Sequence, residues 1–190
     1  MSRLTLVRHG ESEANAARRI GGDADADLTP RGEAQARSLR ATLSDLAIDR
    51  RVSSDLRRAV RTAELGWPHP LPALETHAGL RERTIGDWEG RSLDALRTDG
   101  RANTLLRWDG SPPGGESLHA LARRVLQWFV DHDDGSRMLV VVHGGVVRVL
   151  VGLLDGVPTD RIGGLRIANV QVEQRSVEPS RWRRLLDEIS

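Results

Sequence analysis

The chain has 190 residues and contains neither cysteine nor lysine, so all 28 of its basic residues are arginine. This length suits one domain with a substantial core. Without cysteine there are no disulfides, thiolate metal sites or cysteine nucleophile, and without lysine there is no P-loop lysine, Schiff-base lysine or lysine general base. The 27 carboxylates leave a net charge of +1, which indicates no long-range positive field.

The partners and location of the chain follow from its charge and apolar patterns. Residues 181–184 (RWRR) form a basic cluster around an aromatic residue, but no recognisable nucleic-acid-binding module surrounds it. The apolar run at residues 138–142 is too short to cross a membrane, and the N-terminus does not resemble a signal peptide. We therefore expect a cytoplasmic protein without a nucleic-acid or membrane partner. The sequence leaves the oligomeric state open, a homodimer included.

The first predicted element is a hydrophobic strand over residues 4–7 that ends abruptly in Arg8, His9 and Gly10. A guanidinium and an imidazole then stand at the carboxyl end of a buried strand. The glycine that follows permits a tight turn. Such an arrangement makes an anion site with a nucleophile beside it.

The next elements are a polar segment and a helix. Residues 11–19, which carry Ser12 and Asn15, are polar enough for a loop or a short helix. Thr29, followed by proline at the first helical position, predicts the N-cap of a helix that ends near Ser44.

A second strand is predicted over residues 51–54 and leads into a helix with Ser54 or Asp55 as its cap. The first turn of this helix carries Arg58. A guanidinium and free backbone N–H groups are thereby brought to one place, which favours anion binding. The stretch GWPHPLP, which contains His69, then predicts a loop.

A further strand predicted over residues 138–142 follows the same pattern as the first one, an apolar run that ends in a histidine and a glycine. Its continuous apolar run is typical of a strand buried on both faces, and it ends in His143 and Gly144. Parallel strands with histidines at their carboxyl ends place both imidazoles in one crevice. The other predicted elements, in chain order, are a strand over residues 73–76, short helices over 91–107 that cover the site, helices over 117–132 and from 145 through 154, and strands over 168–174 and 181–186.

Four separated motifs carry a resemblance to a known family. They are RHGE with Asn15 six residues after the histidine, SSDLRRAVRTA, GLRERTIGDWEG and the HGG that begins at His143. In this order they resemble the signature of the histidine phosphatase superfamily, the phosphoglycerate mutase-like fold, over nearly the whole chain. By this resemblance Arg58, rather than Arg57, is the arginine that contacts phosphate.

The resemblance implies a fold and a branch of the superfamily. The fold is a three-layer α/β/α sandwich with a mostly parallel central sheet, forming one domain over residues 1–190 with residues 85–115 as a small cap over the site. Cofactor-dependent mutases of the superfamily carry additional segments over the site. This chain is compact and is similar to α-ribazole phosphatase-like members, so water is the expected acceptor of the phosphoryl group.

The resemblance also implies roles for individual residues. His9 is the expected nucleophile, Glu82 moves protons, and positive charge and hydrogen-bond donors stabilise the transferring phosphoryl group. The positive charge of Arg8 and Arg58 should also disfavour protonation of His9. No metal and no cofactor are expected. The residues expected to bind the phosphoryl group are Arg8, Arg58 and His143, and further substrate-binding positions are Gly10, Ser12, Asn15, Gly22 and Gly144.

The expected function is hydrolysis of a small phosphorylated metabolite, a phosphomonoester, through a phosphohistidine intermediate. Phosphoglycerate mutase-type phosphoryl transfer is one alternative. A non-catalytic module that binds a phosphate ligand is another, and the intact set of His9, Glu82 and His143 argues against it. The natural substrate cannot be inferred from the residues.

The segment DADADLT suggests two other functions, a calcium loop and another class of phosphatase, but it lacks residues that each of them requires. Asp23, Asp25 and Asp27 resemble the opening of a calcium loop, but Leu28 stands where that loop requires glycine. The same segment contains a form used by haloacid-dehalogenase-type phosphatases, whose aspartate follows a hydrophobic strand and is usually partnered by a lysine. Neither feature is present here.

Overall fold

The computed structural model describes residues 1–67 and 72–190, and the loop predicted around His69 falls on residues outside this part. The described residues form five strands, β1 (Ser2–Arg8), β2 (Arg50–Ser54), β3 (Leu74–His77), β4 (Arg137–Val142) and β5 (Val172–Val177). They also form eight α-helices, α1 (Glu13–Ala16), α2 (Pro30–Leu43), α3 (Arg57–Leu65), α4 (Leu93–Thr98), α5 (Leu118–His132), α6 (Gly144–Leu154), α7 (Thr159–Ile162) and α8 (Pro179–Glu188). Short 3₁₀ turns occur at Ala78–Leu80, Gly86–Trp88 and Ala102–Leu106.

The strands form one sheet in the order β3-β2-β4-β1-β5, in which only β5 runs antiparallel to its neighbour. Successive residues of β1 and β4 point to opposite faces, so that Leu6 and Val140 join a core with α5, α6 and α8, whereas Val7 and Val141 join a core with α2 and α3. The three-layer α/β/α sandwich with a mostly parallel sheet confirms the predicted fold class.

The register of the two central strands positions the two histidines of the motifs. Arg8 of β1 pairs with Val142 of β4, and the N–H of His9 donates to the carbonyl of Val142 at 2.9 Å. Because the strands are parallel, His9 and His143 leave the sheet side by side at its carboxyl edge. This is where open α/β sheets bind ligands.

The strand predicted over residues 181–186 is wrong, because this segment is part of helix α8. Trp182, Leu185 and Leu186 are buried, and their spacing of three and four residues matches one face of a helix. Pro179 occupies the first helical position, where its missing N–H costs nothing.

The strand predicted over residues 168–174 begins four residues later, at Val172. The segment before it is a turn in which the N–H of Gln171 donates to the carbonyl of Ala168 and the N–H of Ala168 donates to the side chain of Gln171. Val170 has a positive φ of 53°, which a strand does not allow. The turn lies against the residue that precedes His9, since the N–H of Val170 donates to the carbonyl of Arg8.

The predicted caps of the helices hold in part. Thr29 caps α2 as predicted, accepting from the N–H of Gly32. The caps predicted for α3 are wrong, because Leu56 is the N-cap residue and makes no side-chain capping bond. Ser54 instead accepts from the N–H of Leu56, and the carboxylate of Asp55 binds Arg81.

The segment at residues 85–115, expected to form a cap, contains α4 and two of the 3₁₀ turns. It builds a small hydrophobic cluster of its own from Ile85, Trp88, Leu96 and Leu105. No helix in the described residues combines the length and apolar character needed to cross a lipid bilayer.

Candidate active site

A cavity of about 300 Å³ opens at the carboxyl edge of the sheet beside β1 and β4. Its walls come from the segments after β1 and β4, from α3, and from the turn that carries Glu82. Of the residues predicted for the site, the cavity is lined by Arg8, His9, Ser12, Asn15, Gly22, Arg58, Glu82 and Gly144. His143 packs against the ring of His9, and neither His143 nor Gly10 is part of the lining.

His9 is held in one tautomer by the carbonyl of the next residue, Gly10. Its Nδ1 atom lies 2.6 Å from the carbonyl oxygen of Gly10, and because a carbonyl can only accept, Nδ1 carries the proton. The Nε2 atom therefore keeps a free lone pair. Burial, followed by the charges of Arg58 and Arg8, lowers the pKa of His9 well below its ordinary value of 6.5. The arginines thus act as the sequence predicted, although burial is the larger cause.

His143 packs edge-on against His9, with the ring centroids 5.2 Å apart. Its side chain is fully buried, and neither ring nitrogen has a hydrogen-bond partner among the described residues. Burial and the charge of Arg58 also lower the pKa of His143 well below 6.5. A buried imidazole with both nitrogens unpaired costs free energy unless a ligand supplies the partner.

Arg8, on β1, and Arg58, on α3, both line the cavity. Arg58 is only 4% exposed and donates to the carbonyls of Ala24 and Gly22, at 2.6 and 2.8 Å. Arg8 donates from Nη1 to the carbonyl of Ile167, while its buried Nε has no partner in the described residues. These neutral carbonyls fix the two guanidiniums without cancelling their charge.

Arg57 lies outside the cavity, as the resemblance implied. Its side chain is exposed and forms ion pairs with Asp25 and Asp27. The neighbouring Arg58 therefore is the arginine of this helix that faces the cavity.

Three further arginines of the cavity, the exposed Arg19 and the less exposed Arg83 and Arg148, were not anticipated. Arg83 is 6% exposed, donates from Nη2 to the carbonyl of Leu105 at 2.6 Å, and leaves Nη1 buried without a partner among the described residues. Arg148 donates from Nε to the carbonyl of Leu165 at 2.9 Å. A weak signal existed in the sequence, since Arg148 stands four residues after Gly144 and so shares its helix face.

Glu82 is the carboxylate that the cavity presents to these arginines. Its Oε2 accepts from the N–H of Gly145 at 2.7 Å, and its Oε1 accepts from the N–H of Arg83 at 3.0 Å. One of these donors belongs to the first turn of α6, so the positive end of the helix dipole faces the carboxylate. Both oxygens are thereby fixed in the wall of the cavity that His9 also lines.

Ser12 and Asn15 form a reciprocal cap on α1. The hydroxyl of Ser12 accepts from the N–H of Asn15, and the Oδ1 of Asn15 accepts from the N–H of Ser12. Asn169, another residue that the sequence did not reveal, donates to the same Oδ1 and to the carbonyl of His9. With its oxygen occupied, Asn15 has its amide N–H groups available as donors to a ligand.

Gly10, predicted to bind substrate, has a different role in the structure. Its carbonyl accepts from His9, its N–H donates to the hydroxyl of Thr62 at 3.1 Å, and a Cβ atom would lie 2.4 Å from the carbonyl oxygen of Gly32. Both backbone groups are used within the protein, so Gly10 orients His9. Gly22 lines the cavity at a φ of +49°, and its carbonyl holds Arg58.

The arrangement combines an unprotonated imidazole, fixed cations and one carboxylate within a single cavity. Such a set stabilises the negative charge on the oxygens of a transferring phosphoryl group. Within the part of the chain that the structure describes, no three His, Asp or Glu side chains converge in a way that could hold a metal ion.

The family model of the histidine phosphatase superfamily (branch 1) matches residues 4–187. The chain belongs to this superfamily. The family predicted from the four motifs is thereby confirmed. Among curated proteins, the probable phosphoglycerate mutase GpmB of Salmonella choleraesuis is 36% identical over 189 residues, which cover 96% of this chain and 88% of that relative.

Solved structures of histidine phosphatase superfamily fold resemble this chain as a whole. An α-ribazole phosphatase from Shigella flexneri superposes with a TM-score of 0.78 at 30% identity, covering 93% of this chain and 91% of that one. A mycobacterial glucosyl-3-phosphoglycerate phosphatase, solved as a complex with VO3, gives a TM-score of 0.79 at 27% identity and covers 92% and 90%. Membership of the superfamily and these phosphatase structures support a phosphatase enzyme.

Proposed function

We propose that this protein hydrolyses a small phosphomonoester through a phosphohistidine intermediate on His9. The observation that carries the proposal is the hydrogen bond from Nδ1 of His9 to the carbonyl of Gly10, which leaves Nε2 unprotonated inside a cavity lined by arginines. A nucleophile needs that lone pair, and a phosphoryl group needs that charge.

In the first half-reaction, Nε2 of His9 attacks phosphorus as the bond to the leaving oxygen breaks. Arg8 and Arg58 hold the phosphoryl oxygens, and His143 and Asn15 donate hydrogen bonds to them. Glu82 delivers a proton to the leaving oxygen, because an alkoxide is otherwise a poor leaving group. The products are phosphohistidine and the free alcohol.

In the second half-reaction, water attacks the phosphohistidine. Glu82, now a carboxylate, takes a proton from this water, the phosphorus–nitrogen bond breaks, and inorganic phosphate leaves. His9 regains its lone pair, and Glu82 regains its proton. This cycle requires no metal ion or cofactor. We also propose that the protein acts in the cytoplasm, with a small-molecule substrate and without a nucleic-acid or membrane partner.

The charge of the cavity supports a substrate whose leaving group is itself anionic. Arg8 and Arg58 match the two charges of a phosphomonoester. Arg19, Arg83 and Arg148 add three more, each held by a carbonyl rather than a carboxylate. A phosphorylated carboxylic acid would use this additional charge, and the unpartnered Nη1 of Arg83 would gain an acceptor. A neutral alcohol would leave that donor unpaired.

Phosphoglycerate mutase-type transfer is the second candidate, because the relative at 36% identity carries that name. Product analysis with 2- and 3-phosphoglycerate and with α-ribazole phosphate separates the two reactions. The proposal expects one inorganic phosphate released per substrate consumed. Interconversion of the two phosphoglycerates with little phosphate release would make the enzyme a mutase.

Kinetic measurements with two related substrates test whether the enzyme prefers an anionic leaving group. Glycerol 3-phosphate differs from 3-phosphoglycerate in carrying a hydroxymethyl group in place of the carboxylate. Arg83→Met should raise KM for 3-phosphoglycerate about tenfold or more while changing KM for glycerol 3-phosphate much less. Equal changes for both substrates would remove the support for an anionic leaving group.

A further inference from the structure

The turn that carries Glu82 is held from behind by one side chain of helix α5. Arg124 donates from Nη1 to the carbonyls of Gly79 and Arg81, both at 3.0 Å, and from Nη2 to the carbonyl of Glu82 at 3.4 Å. One guanidinium therefore contacts the main chain of the turn at three points. The Glu82 side chain points the other way, toward the N–H of Gly145.

Arg124 is itself fixed by Glu116. The two side chains form a bidentate pair, with Nε to Oε1 at 3.1 Å and Nη2 to Oε2 at 2.7 Å, the geometry in which arginine is held most rigidly. Glu116 also closes the far side of the turn, because its Oε2 accepts from the N–H of Thr84 at 3.2 Å and its N–H donates to the carbonyl of Thr84 at 2.9 Å.

These contacts fix the backbone on both sides of a residue that has to meet the leaving oxygen. A proton donor works only within hydrogen-bond reach of the atom it serves, and a displacement of about 1 Å can cost about a hundredfold in rate. A side chain anchored only by its own carboxylate would leave the distance to the substrate free to vary.

We propose that Arg124 and Glu116 are positioning residues, which set the position of Glu82 relative to the leaving oxygen without touching the substrate. The inference rests on the proposed function, since it assumes that Glu82 delivers the proton. It predicts that damage to the pair reproduces the leaving-group dependence of damage to Glu82 itself.

If Arg124 served only the stability of the fold, it would also hold the turn. A matched arginine–glutamate pair elsewhere in the chain distinguishes that role from the positioning of Glu82. Arg50 and Glu75 form the same bidentate contact, at 3.1 and 2.7 Å, and Arg50 likewise donates to a carbonyl, that of His132. Arg50 begins β2 and Glu75 is the second residue of the parallel strand β3, so the pair lies at the edge of the sheet opposite the cavity. Arg50→Lys therefore disturbs an equivalent pair that makes no hydrogen bond to the turn of Glu82 among the described residues.

The test measures phosphoenzyme formation in single turnovers with glycerol phosphate and with p-nitrophenyl phosphate. Arg124→Lys keeps the charge, but its three N–H donors cannot make the three carbonyl contacts and the bidentate pair with Glu116 together. It should slow the glycerol phosphate reaction about tenfold or more and the p-nitrophenyl reaction by less than about threefold. Arg50→Lys should leave the ratio of the two rates unchanged. An equal loss with both substrates, or no loss, overturns the proposal.

A double variant shows whether Arg124 acts through Glu82. In a Glu82→Gln background, Arg124→Lys should bring little additional loss with glycerol phosphate, whereas independent effects would multiply. If Arg124→Lys does not fold, as judged by its melting temperature, Glu116→Gln takes its place and should show the same substrate dependence. Absence of any phosphoenzyme in the unmodified protein would refute the proposed function instead, so the two failures are distinguishable.

Discussion

Gly145 and Glu82 are in direct contact at the N-terminus of helix α6. The N–H of Gly145 donates to Oε2 of Glu82 at 2.7 Å, and a Cβ atom built on Gly145 would lie only 2.1 Å from Oε1. No real Cβ contact is that short, so the second glycine of the HGG motif is required for the carboxylate to occupy its place.

Gly145→Ala should therefore displace Glu82 and slow phosphoryl transfer from an alkyl phosphomonoester about tenfold to a hundredfold. The measurement is phosphoenzyme formation in a single turnover. Gly164→Ala is the control, because its Cβ would meet only the carbonyl of Arg161 at 3.4 Å, an ordinary contact. Full activity in Gly145→Ala would mean that the observed position of Glu82 is not needed.

The loss caused by Glu82→Gln should depend on the leaving group. The substitution keeps the shape of the side chain and removes the proton, so a glycerol or sugar phosphate should react about a hundred- to ten-thousand-fold more slowly. A nitrophenolate leaves without protonation, so p-nitrophenyl phosphate should form phosphoenzyme at a much less reduced rate. Single-turnover rates are required, since Glu82 also acts as the base toward water. Equal losses with both substrates would assign Glu82 to substrate positioning.

Stability should fall as the pH drops below about 6.5. The pKa values of His9 and His143 lie well below 6.5 in the folded protein because both are buried near Arg58. The unfolded chain then binds more protons than the folded one between the lowered values and 6.5, and the free energy of unfolding decreases with falling pH by up to about 1.4 kcal/mol per pH unit for each histidine.

Urea unfolding between pH 5 and pH 7.5 measures this dependence. The double variant His9→Gln, His143→Gln keeps every other titrating group and should show a shallower decrease. Identical slopes in the variant and the unmodified protein would contradict the lowered pKa values.

Activity should be indifferent to chelators. The positive charge of the cavity comes from arginine side chains, each fixed by backbone carbonyls, and the proposed cycle uses no Lewis acid. Dialysis against EDTA should leave the rate of phosphate release unchanged. Loss of activity that a divalent ion restores would place the enzyme in another mechanistic class of phosphatase.

The sequence predicted the centre of the fold well, because its two main strands have unambiguous patterns. Residues 138–142 are apolar without interruption and are buried on both faces of β4. The strand predicted over residues 181–186 is wrong because the pattern of this segment is compatible with both the helical and the strand period. Trp182, Leu185 and Leu186 fit a helix face, but in so short and charged a segment the arginines between them also suggest alternation. Tertiary packing against α5 decides in favour of the helix.

The candidate site was predicted as far as its motifs are local in sequence. Arg8, His9 and His143 stand at strand ends and could be placed together by topology alone. Arg83, Arg148 and Asn169 could not, because a single arginine in a chain with 28 basic residues carries little information, and Asn169 lies in a turn that the sequence pattern predicts as a strand. Contacts between distant segments determine these positions.

The phosphohistidine itself is the most direct test. The protein is mixed briefly with a labelled phosphomonoester, quenched in alkali and examined for label that acid releases. The unmodified protein should carry such label and His9→Ala should carry none. His143→Ala should still become labelled, more slowly, because the free Nε2 lone pair belongs to His9 and the proposed role of His143 is only to donate a hydrogen bond. Equal labelling of His9→Ala and the unmodified protein would contradict the assignment of His9 as the nucleophile.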